Sequence, residues 1–212
     1  MILLRGLLYL GFVIVIVAGW YLNKRKELSA KPEIILDTPE AIVAALDNPR
    51  WIVRLKAVEA LCDENDPQAL NHLLDMLHDR VIDVRDAAAA GIVAYGTEAI
   101  PRLARVLETG KLNAREAAVK ALCDISTEET VDVLAKALRE DESAWVRMPA
   151  AQGLGVIGGE KASFALLTAL EDPHPDVVQT VETILHENAS FSNQDRDESL
   201  SQALLDIVID EE

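Results

Sequence analysis

Two cysteines and four histidines are the residues whose side chains could act as nucleophiles or metal ligands: Cys62, Cys123, His72, His78, His174 and His186. Protein zinc sites need such residues at short, repeated spacings, as in CxxC or HExxH. Neither motif occurs in the sequence, and a Gly-rich phosphate-binding loop is also absent. His186-Glu187 is a single His-Glu dyad, which is too small a ligand set for a metal centre. The sequence therefore predicts no catalytic residue, no metal ligand and no cofactor.

The two cysteines occupy equivalent positions in two units of a repeat, 61 residues apart. Neighbouring helix layers pack about 8–10 Å apart, so two layers would separate the cysteines by about 16–20 Å. A disulfide needs Cα atoms within about 7 Å of each other. We therefore expect free thiols that pack as small hydrophobic side chains.

The repeat is visible in a column of arginines and a column of leucines. The arginines have spacings of 31, 30 and 32 residues: Arg54, Arg85, Arg115 and Arg147. The leucines have spacings of 31, 30, 31 and 32 residues: Leu46, Leu77, Leu107, Leu138 and Leu170. A fixed period of about 20–50 residues is typical of stacked-repeat solenoids, in which each unit contacts only its neighbours.

Each unit has the pattern of two helices joined by a polar break. In the first helix, apolar residues four positions apart, such as Leu73 and Leu77, share one face. In the second helix, three core columns follow at i, i+4 and i+8, led by Val53, Val84, Ala114, Val146 and Val177. The period predicts five units over residues 39–188. Pro149 falls inside the fourth second helix, so this helix either begins near Met148 or is kinked.

The arrangement resembles HEAT repeats, specifically the short type of phycobilisome-lyase-like proteins. One shared feature is an apolar residue followed by an arginine of the column, with Ala three residues after the arginine. The other is the run Ala-Gln-Gly-Leu-Gly-Val-Ile-Gly at 151–158. The resemblance implies an all-α fold, a right-handed α–α superhelix of the HEAT/armadillo type whose second helices line a concave face. It also implies a protein-binding role.

In such repeats the arginine column looks like a ladder that bonds acidic residues and carbonyl groups between units. The matching acidic residues in this sequence are Asp47, Asp79, Asp141 and Asp172, whereas the third unit has Glu108 and Gly110. We therefore interpret the arginines as structural, with partner contact as the alternative.

The N-terminal segment contains seventeen consecutive uncharged residues, 6–22, which as a helix would span about 25 Å. Trp20 and Tyr21 lie at its end, and the basic run Lys24-Arg25-Lys26 follows. We predict one transmembrane helix at 1–23 that contacts membrane lipids, a basic juxtamembrane linker at 24–38, and repeats facing the cytoplasm. A cleaved signal peptide, with export to the periplasm, and a buried core helix are the alternatives.

The charge distribution restricts the partners. Residues 1–31 carry a net charge of +4, and the remainder carries −20. Such an acidic body repels nucleic acid phosphates but suits a basic protein surface. By helical phase, the outward positions of the second helices form the candidate partner-binding set: Asp83, Asp86, Glu116, Lys120, Trp145, Met148, Gln152, Gln179 and Glu182. We expect no small-molecule substrate.

Residues 189–212 form an acidic tail in which Leu200, Leu204, Leu205 and Val208 recur at helical spacing. This segment either caps the repeats or binds another protein. Together, these features predict a membrane-tethered HEAT-repeat scaffold that binds a cytoplasmic protein without catalysis of its own. The alternative is a lyase-like or hydroxylase-like enzyme on the same fold.

Overall fold

A computed structural model describes residues 36–63 and 67–189, which belong to one compact unit that begins at Leu36. All regular secondary structure within these ranges is helical. The helices are α1 (Pro39–Leu46), α2 (Trp51–Cys62), α3 (Pro67–Met76), α4 (Ile82–Val93), α5 (Ile100–Thr109), α6 (Leu112–Ile125), α7 (Glu128–Glu140), α8 (Ala144–Ile157), α9 (Gly159–Thr168) and α10 (residues 175–189). Short 3-10 turns, Gly96–Ala99 and Ala169–Glu171, precede α5 and follow α9.

The helices form two layers. The first helices α3, α5, α7 and α9 pack in series, and so do the second helices α2, α4, α6 and α8. Each first helix of the described units one to four also packs against its own second helix. The predicted all-helical HEAT-like solenoid is thus confirmed for the described residues.

Two helix starts show how the sequence sets the boundaries. The Thr38 hydroxyl accepts a hydrogen bond from the Ala41 amide at 3.2 Å, and Pro39 occupies the first helical position of α1. In the fourth unit, the Ser143 hydroxyl accepts from the Trp145 amide at 3.3 Å. Helix α8 therefore begins at Ala144 and continues through Pro149. The alternative start near Met148 is wrong.

The core consists of the predicted columns. The column led by Val53 is buried in all five units, and the alanines that follow it at i+4 are fully buried. Two leucines of the first-helix column depart from expectation, since Leu107, in the third unit, is only partly buried and Leu170, in the last unit, is 36% exposed. No described first helix follows α9, so Leu170 has no following layer to bury it.

Small residues let consecutive second helices approach closely. Gly91 lies against the Cys62 sulfur, and Gly153 lies against the Cys123 sulfur. A Cβ atom at Gly153 would collide with Cys123 Sγ and would come within 3.1 Å of Leu134 Cδ1. The cysteine of one unit therefore fits the space that a glycine leaves in the next.

We expect Gly153→Ala to lower the free energy of unfolding by about 1–3 kcal/mol, because the added methyl group overpacks this contact. Chemical denaturation of the variant measures this loss. The double variant Gly153→Ala, Cys123→Ala should lose less than the sum of the single losses, since removing the sulfur makes room. Additive losses would show that the collision is not the cause.

The predicted membrane anchor and linker at 1–38 lie outside the described residues, apart from 36–38, and so does nearly all of the tail at 189–212. Within residues 36–63 and 67–189, no helix has both the length and the apolar character needed to cross a bilayer.

Candidate functional site

The four arginines of the column lie at the junctions between units and are 6–9% exposed. The Arg147 guanidinium donates from Nε and Nη2 to the two Asp172 carboxylate oxygens, at 2.7 and 2.8 Å. Arg54 pairs with Asp79, and Arg115 with Asp141, in the same two-pronged geometry. Each pair joins a second helix to the turn of the next unit, as in a planar Arg–carboxylate fork.

The aspartates of these pairs also organise the helix starts. Asp79, Asp141 and Asp172 each accept a hydrogen bond from the amide two residues later, at 2.8–2.9 Å. Their backbone carbonyls contribute further, because Arg85 donates to the Asp79 carbonyl and Arg147 to the Asp141 carbonyl. One aspartate thereby links the turn of its own unit to the arginines of two units.

Two positions of the ladder differ from the expected pattern. In the first unit the equivalent residue is Asn48, which accepts from the Arg50 amide and whose carbonyl accepts from Arg54. The assignment of Asp47 to this position is therefore wrong by one residue. The third unit has Gly110, and among the described residues no carboxylate pairs with Arg85. Glu108, the other substitute, instead pairs with Lys136 at the surface.

The ladder changes the acidity of two of its carboxyl groups. Burial raises the pKa of Asp79 and Asp172, but hydrogen bonds from the arginines and from backbone amides outweigh burial and lower both pKa values below 3.8. A lowered folded-state pKa contributes stability that is present above the unfolded-state pKa and is lost as the pH falls through the folded-state pKa.

We therefore expect the free energy of unfolding to decrease as the pH falls below about 4, since this is the range in which unfolded aspartates begin to bind protons. Urea unfolding at stepwise lower pH measures the slope. Asp172→Asn should make the slope shallower, because one of the responsible carboxyl groups is gone. An unchanged slope would contradict this origin.

The nine predicted partner-binding residues lie on the exposed side of the second helices, here called the second-helix face. Asp86, Glu116 and Met148 are partly buried, and the other six, Asp83, Lys120, Trp145, Gln152, Gln179 and Glu182, are exposed. Lys120 Nζ contacts Asp86 Oδ1 at 3.0 Å, so the side chains of α6 and α4 meet on this face.

The sequence reasoning missed two exposed apolar residues. Val156, near the end of α8, is 78% exposed, and Phe164, on α9, is 69% exposed. Both differ in type from the equivalent residues of other units. Phe164 stands where they have Glu40, Asn71, Pro101 and Asp132. Comparing the residue types at equivalent positions of the five units could have identified both residues.

Phe164 borders a groove between two consecutive first helices, α7 and α9. The groove between α5 and α7 has a volume of about 620 Å³. The groove between α7 and α9 has a volume of about 560 Å³. Apolar side chains line it together with two cations, Arg139 and Lys161, and three carboxylates, those of Asp132, Glu171 and Asp172. The cations are 65% and 69% exposed, and each pairs with an exposed acid, Glu140 and Asp132 respectively.

The thiols are poor nucleophiles. Burial, followed by the charge of Asp124, raises the pKa of Cys123 to about 11. Burial of the sulfur and the charges of Asp63 and Glu59 also raise the pKa of Cys62. Since the thiolate is the reactive form, a raised pKa lowers the fraction of each thiol that can react at neutral pH.

The histidines that the structure describes do not form a cluster. Within residues 36–63 and 67–189, no three side chains of His, Cys, Asp or Glu converge as metal ligands would. His174 lies in the turn before α10, where its Nδ1 accepts a hydrogen bond from the Asp176 amide at 3.3 Å.

Two curated proteins are similar in sequence. The bilin biosynthesis protein RpcF of Synechococcus sp. strain WH8020 is 29% identical over 127 residues, which cover 56% of this chain and 61% of RpcF. The phycocyanobilin lyase subunit beta of Nostoc sp. strain PCC 7120 is 28% identical over 163 residues, which cover 77% of this chain and 75% of the relative. The chain thus spans about three-fifths of the length of RpcF.

Two solved structures are similar to this chain in fold. The complex of CpcE and CpcF of phycocyanin lyase from Nostoc sp. PCC7120 has a TM-score of 0.47 at 22% identity, covering 70% of this chain and 64% of the matched one. Human deoxyhypusine hydroxylase in complex with glycerol has a TM-score of 0.40 at 22% identity, covering 69% and 72%.

The sequence relatives correct the prediction of function. The expectation of a scaffold without catalysis, and of a chain that is not an enzyme, is wrong because the curated relatives are a bilin biosynthesis protein and a lyase subunit. The lyase-like alternative is better supported. The resemblance to phycobilisome-lyase-like HEAT repeats, drawn from the arginine motif and the run at 151–158, is confirmed by the same relatives. The predicted function was wrong because that resemblance was interpreted as a binding scaffold.

The sequence profile of HEAT repeats matches residues 39–113 and 100–185. These overlapping matches extend from the start of α1 into α10 and cover the paired helices described above. With the profile matched over most of its length and the helices stacked in two layers, this chain belongs to the HEAT-repeat family.

Proposed function

We propose that this chain is a subunit of a bilin-lyase-like enzyme and acts with a protein partner on an open-chain tetrapyrrole. The observation that carries the proposal is the 28% identity to the phycocyanobilin lyase subunit beta across 77% of this chain. That relative is named as a subunit, which supports a protein partner here.

The groove between α7 and α9 suits such a ligand. A bilin is a conjugated, largely apolar chain of four rings with two carboxylates, so it needs apolar walls and cations at the rim. Phe164 provides an aromatic ring that is 69% exposed, and Arg139 and Lys161 provide the cations. The groove also contains the carboxylates of Asp132, Glu171 and Asp172, of which Asp172 is already paired with Arg147. Their present ion pairs are exposed and worth about 0–1 kcal/mol each, so both cations are available to re-pair with a ligand.

The properties of the groove and of the two thiols favour non-covalent binding of the bilin. Because burial and nearby carboxylates raise the pKa of both cysteines, we propose that this chain holds the bilin without a covalent bond. A cysteine of another protein would then receive the bilin. Catalysis in this arrangement would consist of orienting the bilin towards that thiol.

Titration of the purified full chain with phycocyanobilin tests the proposal. We expect a shift in the visible absorption band and an induced circular dichroism signal. On a denaturing gel the bilin should separate from the chain, because no covalent bond joins them. Phe164→Ala and Lys161→Glu should weaken binding, whereas Ile82→Ala, a control on α4 that is 60% exposed, should not. The absence of any spectral change with phycocyanobilin would overturn the proposed function.

The location at a membrane is a separate proposal, supported by the uncharged run at 6–22 and the basic residues after it. In this proposal residues 1–23 anchor the chain and the repeats face the cytoplasm. Cell fractionation and N-terminal sequencing of the mature protein test it. Cleavage near Gly19, or recovery of the intact chain without membranes, would contradict it.

A further inference from the structure

Helix α8 differs from the other second helices in the side chains that it exposes. Trp145 is 69% exposed and Val156 is 78% exposed, both on the second-helix face. The residues equivalent to Trp145 in the second, third and fifth units are Asp83, Asn113 and Asp176. The residues equivalent to Val156 in the same units are Ala94, Asp124 and Glu187. In the first unit the equivalent residues are Ile52, which is 42% exposed, and Asp63. Among the described second helices, α8 is therefore the one that exposes a large apolar side chain at both positions.

These residues form a continuous strip. Positions 145, 148, 152 and 156 follow the helical period, so Met148 and Gln152 lie between Trp145 and Val156 on one side of α8. The strip is about 16 Å long at a rise of about 1.5 Å per residue. This length corresponds to three turns of a partner helix lying along α8.

The helices on either side of α8 surround the strip with negative charge. Helix α6 carries Glu116 and Asp124 on this face, and α10 carries Asp176 and Glu182. Lys120 lies on the same face, but its ammonium group is paired with Asp86 at 3.0 Å. The surface therefore complements an apolar partner that is flanked by cations and repels one flanked by anions.

Pro149 adds a polar feature to the strip. It is the sixth residue of α8 and has no amide hydrogen, so it cannot donate to the Trp145 carbonyl as a residue at this position normally would. The carbonyl of the most exposed aromatic residue on this face is thus left without its usual helical donor. A lysine or arginine side chain of a partner can supply that donor.

We propose that the strip formed by Trp145, Met148 and Val156 docks a basic amphipathic helix of the partner protein. The inference rests on the proposed function in taking the partner to be a protein subunit. Trp145 provides the large, rigid contact that typically dominates an interface. The acidic residues of α6 and α10 bind the lysines or arginines on the two flanks of the partner helix.

The test uses three synthetic peptides of about five helical turns each. The first carries a leucine stripe flanked by lysines, the second has glutamates in place of the lysines, and the third has the composition of the first in a scrambled order. Each is titrated into the full chain labelled with 5-fluorotryptophan and followed by fluorine NMR. Trp→Phe variants assign the signals of Trp20, Trp51 and Trp145.

We expect the lysine peptide alone to shift the Trp145 signal and to bind more weakly as salt is raised. Trp145→Ala with Val156→Ser should lower its affinity by about ten-fold or more. Leu167→Ala is the matched control, because Leu167 is 54% exposed but lies on α9, outside the lining of the groove assigned to the bilin, and it should change the affinity little. Glu116→Gln with Glu182→Gln should weaken binding, and Lys120→Gln should strengthen it.

Equal binding of the scrambled or glutamate peptide, no shift of the Trp145 signal, or an equal loss in Leu167→Ala would overturn the proposal. Sedimentation of the free chain tests whether a second copy of the chain occupies the strip instead. A dimer that Trp145→Ala dissociates would assign the strip to a second copy and would also overturn it. The titration contains no bilin, so its failure is distinguishable from failure of the proposed function.

Discussion

Asp172→Ala should lower the free energy of unfolding by about 3–5 kcal/mol, because it leaves a buried guanidinium without its carboxylate. The side chains of Arg147 and Asp172 are only 9% and 6% exposed, and two hydrogen bonds join them. The same change removes the acceptor for the His174 amide at the turn before α10. Urea unfolding followed by far-UV circular dichroism measures the loss.

Two further variants separate the contribution of the buried ion pair from the contributions of the turn hydrogen bond and of ion pairing in general. Asp172→Asn retains an oxygen that can accept from the His174 amide, so it should cost less than Asp172→Ala. Lys136→Ala is the control for ion pairing in general, because its pair with Glu108 is 2.7 Å long but about half exposed. It should change the free energy of unfolding little, because water screens an exposed ion pair. Equal losses in Asp172→Ala and Lys136→Ala would mean that burial of the pair is not what stabilises the junction.

The loss should also be localised. In stacked repeats each unit is stabilised mainly by its neighbours, so the Arg147–Asp172 pair holds the fifth unit to the fourth. Hydrogen exchange of Asp172→Ala should therefore accelerate most in α9 and α10. Uniform acceleration from α2 to α10 would show instead that the described repeats unfold as one cooperative unit.

The repeat period was sufficient to predict the fold of the described residues, because burial follows from the repeated apolar positions. The columns led by Val53 and by Ala57 are buried in every unit. Burial in the last unit was harder to predict, because the spacing of apolar residues does not show whether another helix packs over them. Leu170 is partly exposed for this reason. Asp47 was assigned to the ladder because it is acidic like the ladder aspartates. The residue at the equivalent position of the repeat is its neighbour, Asn48.

The candidate site was predicted only in part. Helical phase placed six of the nine candidate residues at exposed positions of the second helices, whereas Asp86, Glu116 and Met148 are partly buried. It did not indicate the groove bordered by Phe164, because that groove arises between helices of successive units. The enzyme prediction failed because it looked for reactive residue types, whereas the relatives resemble this chain throughout the repeats.

Pro149→Ala should raise the free energy of unfolding by about 2 kcal/mol. A proline inside a helix costs about 3 kcal/mol relative to alanine, and part of this is offset because proline also restricts the unfolded chain by about 0.4–1 kcal/mol. Alanine fits the position, since Ala87 is likewise the sixth residue of its helix, α4. The contact of the Cys123 sulfur with the residue 149 carbonyl remains available in the variant.

The reverse change provides the matched control. Ala87→Pro should destabilise the chain by about 3 kcal/mol or more, because α4 has no feature that offsets the lost hydrogen bond. If Pro149→Ala brings no gain, other donors already satisfy the Trp145 carbonyl and the proposed polar contact with a partner is wrong. If it brings the expected gain, the restored amide of residue 149 occupies that carbonyl. The lysine peptide should then bind the variant more weakly, so that stability at α8 increases at the expense of docking.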